Sequence, residues 1–256
     1  MELRPGHAHI WTMALDVIEN DDEPAADATL FRQLEAVLSD DEITRANRFA
    51  FDNNRREYVA AHALCRIMLS TFAKTPARDW QFEVGPHGRP EIVRRDGVEN
   101  LRFNISHTRG LVCVAVTQGH DIGVDVEWTG RKNQLDDIAR AKFSTPEVAR
   151  LAGLQEPDKA QIFFSFWTLK EAYIKAIGKG LAEPLDGFAF SLDPLGIQFL
   201  KGQDDPEDWH FDLFAPVPQY LCALALNDSS RAALIISRQS IDITGLSRLV
   251  NAEVER

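Results

Sequence analysis

Asp125 and Glu127 stand two residues apart in the alternating run Gly123-Val124-Asp125-Val126-Glu127-Trp128. Alternate side chains of a strand face opposite ways, so the valines take one face and both carboxylates the other. Such a pair suits a hard cation such as Mg²⁺, which binds through one or two carboxylates together with substrate phosphates. The ordinary alternative is a half-exposed strand with solvated acids. A second cluster lies in the aromatic run from Phe163 to Lys175, where Trp167, Glu171 and Lys175 recur at helical spacing. They form a stripe beside an apolar arc of Ile162, Phe166, Leu169, Tyr173, Ala176 and Ile177. An acid, a cation and an indole on one face can coordinate a metal, accept a proton and offset phosphate charge. Alternatively, Glu171 and Lys175 are an everyday helix pair worth about 0.3–0.5 kcal/mol.

The third cluster is Phe103-Asn104-Ile105-Ser106-His107-Thr108, read as a polar segment ahead of a strand that starts at Leu111. Ser106 and His107 are adjacent, a poor arrangement for a nucleophile and its base, whose side chains must converge. They serve better as hydrogen-bond donors to a phosphate, or as turn residues that cap backbone groups. Other chemistries lack their templates. The sequence has no G-x-x-x-x-G-K-[ST] loop, no G-x-G-x-x-G, no H-E-x-x-H, no C-x-x-C and no G-x-S-x-G.

Positioning these clusters requires strands and helices whose signals are visible. Strands are expected at 9–15, 80–84, 111–116, 122–127, 187–192 and 219–226 from alternation or continuous apolar runs. Helices are expected at 29–38, from the capping box Ser39–Glu42 to about Arg48, and from an Asn53 or Asn54 cap to about Phe72. Two short helices (134–141 and 146–152) and a long one (159–177) follow, the last stopped by Gly178 and Gly180. The apolar run around Cys222 echoes the one around Cys113, 109 residues earlier, and the order of elements repeats. Two similar halves, 1–118 and 119–256, are therefore expected.

Composition narrows the class. Against 39 Asp+Glu stand 28 Lys+Arg, a formal charge of −11, which argues against a general nucleic-acid binder. Hydrophobic residues at 45% exclude a disordered chain. No apolar run reaches the roughly 18–20 residues of a membrane span, and the N-terminal residues lack a secretory pattern. Cys65, Cys113 and Cys222, far apart in apolar runs, read as core thiols of a cytoplasmic protein.

Taken together and in this order, Phe103–Thr108, Gly123–Trp128 and Phe166–Lys175 resemble the 4′-phosphopantetheinyl transferases of the long, surfactin-synthetase-activating type. Gly88-Arg89-Pro90 resembles that family's Gly-Lys-Pro turn, Phe143-Ser144 with Glu147 its Phe-Ser…Glu segment, and Gly178-Lys179-Gly180-Leu181 its post-helix loop. The likeness covers residues 40–192. It implies an α+β pseudo-dimer of two similar halves, monomeric, with coenzyme A in the cleft between them. It also implies transfer of the phosphopantetheine arm to a serine of an apo acyl or peptidyl carrier protein, releasing adenosine 3′,5′-bisphosphate.

Carried over residue by residue, the metal ligands are Asp125, Glu127 and Glu171, holding Mg²⁺ or Mn²⁺, and the catalytic set is Glu171, Lys175 and His107. Glu171 would accept the serine proton and Lys175 would offset charge on the departing phosphate. Ser106, His107 and Arg89 would bind the nucleotide phosphates, helped by Arg45, Arg48 and Arg56, with Asp125 and Lys175 also touching the coenzyme. Glu42 stands where some members carry a basic residue. Arg131, Lys132, Arg140 and Lys142, beside Phe143, form a basic and apolar stretch that suits an acidic carrier within 131–152. Two rivals remain at this point: a metal-dependent nucleotide phosphohydrolase and a non-catalytic coenzyme A-binding module. No nucleic-acid or membrane partner is expected.

Overall fold

The structure, a computed structural model, describes residues 3, 6–17, 25–93, 97–98, 100–131, 134–202, 204–230 and 233–255. The first elements are β1 (His7–Ala14), α1 (Ala25–Glu35), α2 (Asp40–Ala46), α3 (Asp52–Phe72), β2 (Phe82–Val84), β3 (Pro90–Ile92), β4 (Leu101–Thr108) and β5 (Leu111–Gln118). Next come β6 (Asp121–Trp128), α4 (Leu135–Lys142), α5 (Thr145–Ala152), α6 (Asp158–Ala176), β7 (Phe188–Leu192) and β8 (Leu195–Phe199). β9 (Trp209–Phe214), β10 (Tyr220–Asn227), β11 (Ile235–Ser240) and α7 (Ile243–Val254) complete the order. The class is α+β, as the resemblance implies.

The chain forms two compact units. One comprises Met1–Glu83, Glu91–Gly119 and Ile235–Arg256; the other comprises Val84–Pro90 and His120–Leu234. The expected single division after residue 118 therefore differs from the structure in two places. The tip of the β2–β3 ribbon belongs with the second unit, and the last segment returns to the first. That return has a physical cause: β11 pairs in parallel with β1, His7 opposite Ile235 through Thr12 opposite Ser240. Parallel neighbours need a long crossover connection.

In the first unit the sheet order is β11-β1-β5-β4. β5 is apolar at almost every position because β1 and β4 flank it and α3 covers one face. Ala60, Ala63, Leu64, Ile67 and Met68 of α3 share a core with Val112, Val114 and Val116 of β5 and with Trp11 and Met13 of β1. In the second unit β6-β10-β9 form an antiparallel sheet, with α6 lying on β6 and β10. Phe166, Leu169 and Ala172 of α6 pack with Leu221, Ala223 and Ala225 of β10. Cys113 and Cys222 thus sit at similar places in two similar arrangements, each on an inner strand of a sheet that carries the unit's long helix. All three cysteines are buried free thiols. No described helix is long and apolar enough to cross a membrane.

Three local expectations are corrected. Residues 103–108 are not a polar loop: β4 runs through Thr108, paired with β5 by a register that ends at Thr108 opposite Leu111. The connection is Arg109-Gly110, with Gly110 at φ 73°, a two-residue hairpin turn that explains why the ladder extends so far. The long first-unit helix begins at Asp52 with Phe51 at its N-cap, so Asn53 and Asn54 lie in its first turn and do not cap it. α1 stops at Glu35, three residues before Leu38.

The capping box of α2 forms as the sequence predicts and is part of a larger charge network. Ser39 N–H donates to Glu42 Oε2 at 2.8 Å, Arg66 Nε donates to the same oxygen at 2.8 Å, and His62 Nδ1 lies 2.9 Å from Oε1. Burial alone would raise the Glu42 pKa, but the His62 hydrogen bond and the Arg66 charge outweigh it and hold the carboxyl at about 2. A depressed carboxyl pKa contributes stability above its unfolded value of 4.5 that is lost as pH falls toward 2. The wild type is therefore expected to exceed Glu42→Gln by about 2 kcal/mol in urea unfolding at pH 7, and the gap should close toward pH 2. A gap independent of pH would contradict the assignment.

Candidate active site

The second unit assembles its polar side chains where α6 crosses β6. The crossing depends on Gly123: a Cβ there would stand 2.0 Å from the Ala172 carbonyl oxygen and 2.4 Å from Ala176 N. The odd-numbered face of β6, which carries Asp125 and Glu127, is thus the face that α6 covers. Between Gly123 and Glu127 the strand advances ~13 Å, and so does the helix between Trp167 and Ala176. The stripe on α6 and the acids on β6 therefore meet in step. Gly123→Ala is expected to cost about 2 kcal/mol or more, read as a lowered urea midpoint, because backbone and not a flexible side chain blocks the added methyl. An unchanged midpoint would mean that α6 does not approach this closely.

Lys175 Nζ donates to Asp125 Oδ1 at 2.7 Å and to the Val124 carbonyl at 3.2 Å. Just over two turns toward the helix start, Trp167 Nε1 donates to Glu127 Oε1 at 2.8 Å. Asp125 is only 5% exposed, so the solvated-acid reading of this strand does not hold. Glu171 lies between the two contacts along the helix. Burial, reinforced by Asp125 and then Glu127 and partly offset by Lys175, pushes its carboxyl up to about 7. Burial and Asp125 likewise raise Glu127, against Arg131, Trp167 and Lys175. Mutual repulsion among hard oxygen donors is the condition that a divalent cation relieves, so the chemistry of this set fits Mg²⁺ or Mn²⁺. Among the described residues, no three His, Cys, Asp or Glu side chains close around a single point; at Asp125 the cation is the Lys175 ammonium.

Sequence reasoning did not anticipate the side chain beside Glu171. Lys170 is fully buried; its Nζ lies 2.8 Å from Glu147 Oε2 and donates to the carbonyls of Leu185 and Phe188 at 2.7 Å each. Glu147, 1% exposed, also accepts from Ser144 Oγ at 2.6 Å and from Phe190 N–H at 3.0 Å. The Phe143-Ser144…Glu147 segment is thus the seat of a buried ion pair that locks α5, α6 and β7 together. The available signal was the pairing of a capping-box acid with a lysine in a helix that is otherwise apolar on that side.

Arg89, expected at the nucleotide phosphates, contacts backbone in the second unit. Its Nη1 donates to the Ala176 carbonyl at 2.6 Å and its Nη2 to the Ile122 carbonyl at 3.3 Å, so two donors of the fork hold backbone.

In the first unit Ser106 is buried on β4, and His107 follows at the surface with Nδ1 3.5 Å from Glu57 Oε2. Glu57 Oε1 accepts the Gly110 N–H at 2.9 Å, which fixes the hairpin end next to His107. Arg45 and Arg48, with Asp41, Thr44 and Phe49, line an open concavity of about 560 Å³. Arg56 does not join them. It is buried, with its guanidinium over the Phe31 ring at 4.5 Å and Nη1 3.4 Å from the Asp16 carbonyl.

The stretch after β6 is less basic than its sequence suggests. Arg140 pairs with Asp137 at 3.1 Å and Arg131 approaches Glu127 at 3.7 Å. Phe143 is core, packed on Phe163 and Phe166. Lys132 lies outside the described residues. Arg131, Gln134, Leu135 and Arg140 still border an open cavity of about 800 Å³.

A cluster of one buried and two half-buried carboxylates with a lysine on one helix–strand crossing suits the chemistry of phosphate-group transfer. Comparison with known proteins makes the class specific. Residues 121–225 match the 4′-phosphopantetheinyl transferase superfamily, and residues 23–119 match the 4′-phosphopantetheinyl transferase N-terminal family. The 4′-phosphopantetheinyl transferase HetI of Nostoc sp. is 32% identical over 194 residues, covering 76% of this chain and 78% of that protein. The chain therefore belongs to the 4′-phosphopantetheinyl transferase family. The Sfp transferase of Bacillus subtilis is 27% identical, with 74% of this chain and 82% of Sfp aligned. The L-aminoadipate-semialdehyde dehydrogenase-phosphopantetheinyl transferase of Pongo abelii is 25% identical over 76% of this chain and 69% of its own length.

Proposed function

We propose that the protein transfers the 4′-phosphopantetheine arm of coenzyme A to a serine hydroxyl of an apo carrier protein in a reaction that depends on Mg²⁺. The observation that carries this reading is the placement of Glu171 between the Lys175–Asp125 and Trp167–Glu127 contacts. Asp125, Glu127 and Glu171 are assigned as the cation's ligands; when bound, the cation offsets pyrophosphate charge. Lys175 is assigned to the departing phosphate, and leaves Asp125 for that purpose. The serine oxygen bonds to the phosphorus next to pantetheine, the bridging P–O bond breaks, and adenosine 3′,5′-bisphosphate departs. The serine proton passes to Glu171, whose elevated pKa suits a general base at neutral pH.

In the first unit, Arg45, Arg48, Ser106 and His107 are assigned to nucleotide phosphates. Guanidinium, hydroxyl and imidazole donors suit such groups. Residues 131–152, with the cavity bordered by Arg131 and Arg140, are assigned to the carrier. The phosphohydrolase and binding-module readings find no support among the matched proteins.

The test is intact-mass spectrometry of acyl and peptidyl carrier proteins incubated with the protein, coenzyme A and Mg²⁺, with EDTA and Asp125→Ala as controls. A phosphopantetheine mass gain that both controls abolish is expected. Coenzyme A consumed without a carrier would instead reveal a hydrolase, and no gain on any carrier would overturn the transferase reading.

A further inference from the structure

We propose that Arg89 is a positioning residue for the transfer reaction, one that pins the end of α6 to the start of β6 and so sets Lys175 and Glu171 against Asp125 and Glu127. The inference rests on the activity proposed above and goes beyond it, because it gives Arg89 a role other than phosphate binding. The guanidinium bridges the two elements that carry the site: Nη1 holds the Ala176 carbonyl in the last turn of α6, and Nη2 holds the Ile122 carbonyl on β6. The next polar link along the same crossing is Lys175 to Val124 and Asp125. Between the two links lies Gly123, whose missing Cβ permits the contact that Arg89 tightens.

The chemistry suits the place. The last carbonyls of a helix lack intrahelical partners and carry the negative end of its dipole, so a cation there is favoured. A planar fork reaches two carbonyls from different elements, which the point charge of a lysine does less well. The surrounding loops are built to deliver it. Gly85 N–H donates to the Arg89 carbonyl at 2.8 Å and closes the turn, with Gly88 at φ 87°. Gly178, at φ 70°, ends α6, and a Cβ on it would stand 3.4 Å from Arg89 Cδ. The Gly-Arg-Pro turn and the Gly-Lys-Gly loop, recognised separately in the sequence, are thus the two sides of one clamp. Placement matters at this level because a shift of about 1 Å in a catalytic group can reduce a rate by on the order of 100-fold.

Two measurements on the full chain test the clamp. In steady-state transfer to a carrier, Arg89→Ala should lower kcat by about 10- to 100-fold while KM for coenzyme A stays within about threefold. Arg89→Lys, which keeps the charge but not the fork, should recover part of kcat. In hydrogen exchange without substrate, Arg89→Ala should speed exchange by about tenfold or more at the Ile177 and Gly178 amides, which donate to Tyr173 and Lys175. A tenfold rise in KM for coenzyme A with kcat and exchange unchanged would make Arg89 a phosphate ligand and overturn the proposal; so would no change in any of the three. If Arg89→Ala does not fold, Arg89→Lys is judged on the same kcat and KM split. If the wild type transfers nothing to any carrier, it is the proposed activity that fails, and the exchange result alone decides the clamp.

Discussion

Glu171→Gln is expected to slow carrier modification by on the order of 1,000-fold and, without added metal, to make the protein more stable at pH 8. The first effect follows from its assigned roles: a positioned general base contributes roughly 10²–10⁴-fold, and the amide is also a poorer ligand for a hard cation. The second effect has the opposite sign for a physical reason. The folded carboxyl titrates at about 7 and the unfolded one at 4.5, so the folded state binds the proton more tightly. That linkage contributes stability below pH 4.5 and loses it as pH rises through 7. At pH 8 the wild type holds a half-buried charge beside two other carboxylates, and glutamine removes it, for a gain of about 1–2 kcal/mol after allowance for solvent screening. Single-turnover intact-mass kinetics and urea unfolding at pH 5 and 8 read the two effects. Near-normal turnover with unchanged Mg²⁺ dependence would refute the assigned role, and equal stability of the variant and wild type at both pH values would refute the electrostatics.

Lys170→Ala is expected to destabilise the protein by about 3–5 kcal/mol, a large fraction of the stability of an ordinary domain. Its ammonium is fully buried, and burial lowers its pKa while Glu147 pulls it back up. Removing it leaves Glu147 charged in the core and frees the carbonyls of Leu185 and Phe188. The double variant Lys170→Met with Glu147→Leu removes both charges, and should recover part of the loss. If the double variant is as unstable as the sum of the singles, the pair is not coupled as the geometry requires.

What the sequence made legible follows from which signals are local. The strand around Cys113, the alternation at 122–127 and the cap at Ser39 are contained in a few consecutive residues, and the structure has each where expected. β11 was not legible. Its residues, Ile235–Ser240, are largely exposed on a sheet edge, and its pairing is decided by β1 more than two hundred residues away. β4 was misread because Asn104 and Ser106 look like loop residues until the Arg109-Gly110 turn is seen to join two paired strands. At the site, the helical stripe predicted which side chains share a face, but not that Lys170 would be buried on another. Helix α6 is covered nearly all round, so a lysine on it cannot be assumed to reach water. Arg89 shows a related limit. A motif gives the residue's type and place in the chain, whereas its acceptors came from a strand carbonyl 33 positions further on and a helix carbonyl 87 positions further on.

The parallel pairing of β11 with β1 also fixes the order in which the chain can be completed during synthesis. β6 to β10 and α6 are made as one nearly continuous stretch and have their sheet partners at hand as they emerge. β1 is made early and finds β5 on one side, but its other edge has no strand until Ile235–Ser240 arrive. For the whole time that the ribosome translates the second unit, the first must persist with an open edge and without α7 on its core. Such edges recruit foreign strands, and closing them through a distant partner is slow. The unit that is started first is thus the last to be finished, and the nascent chain needs its greatest protection from aggregation in that interval.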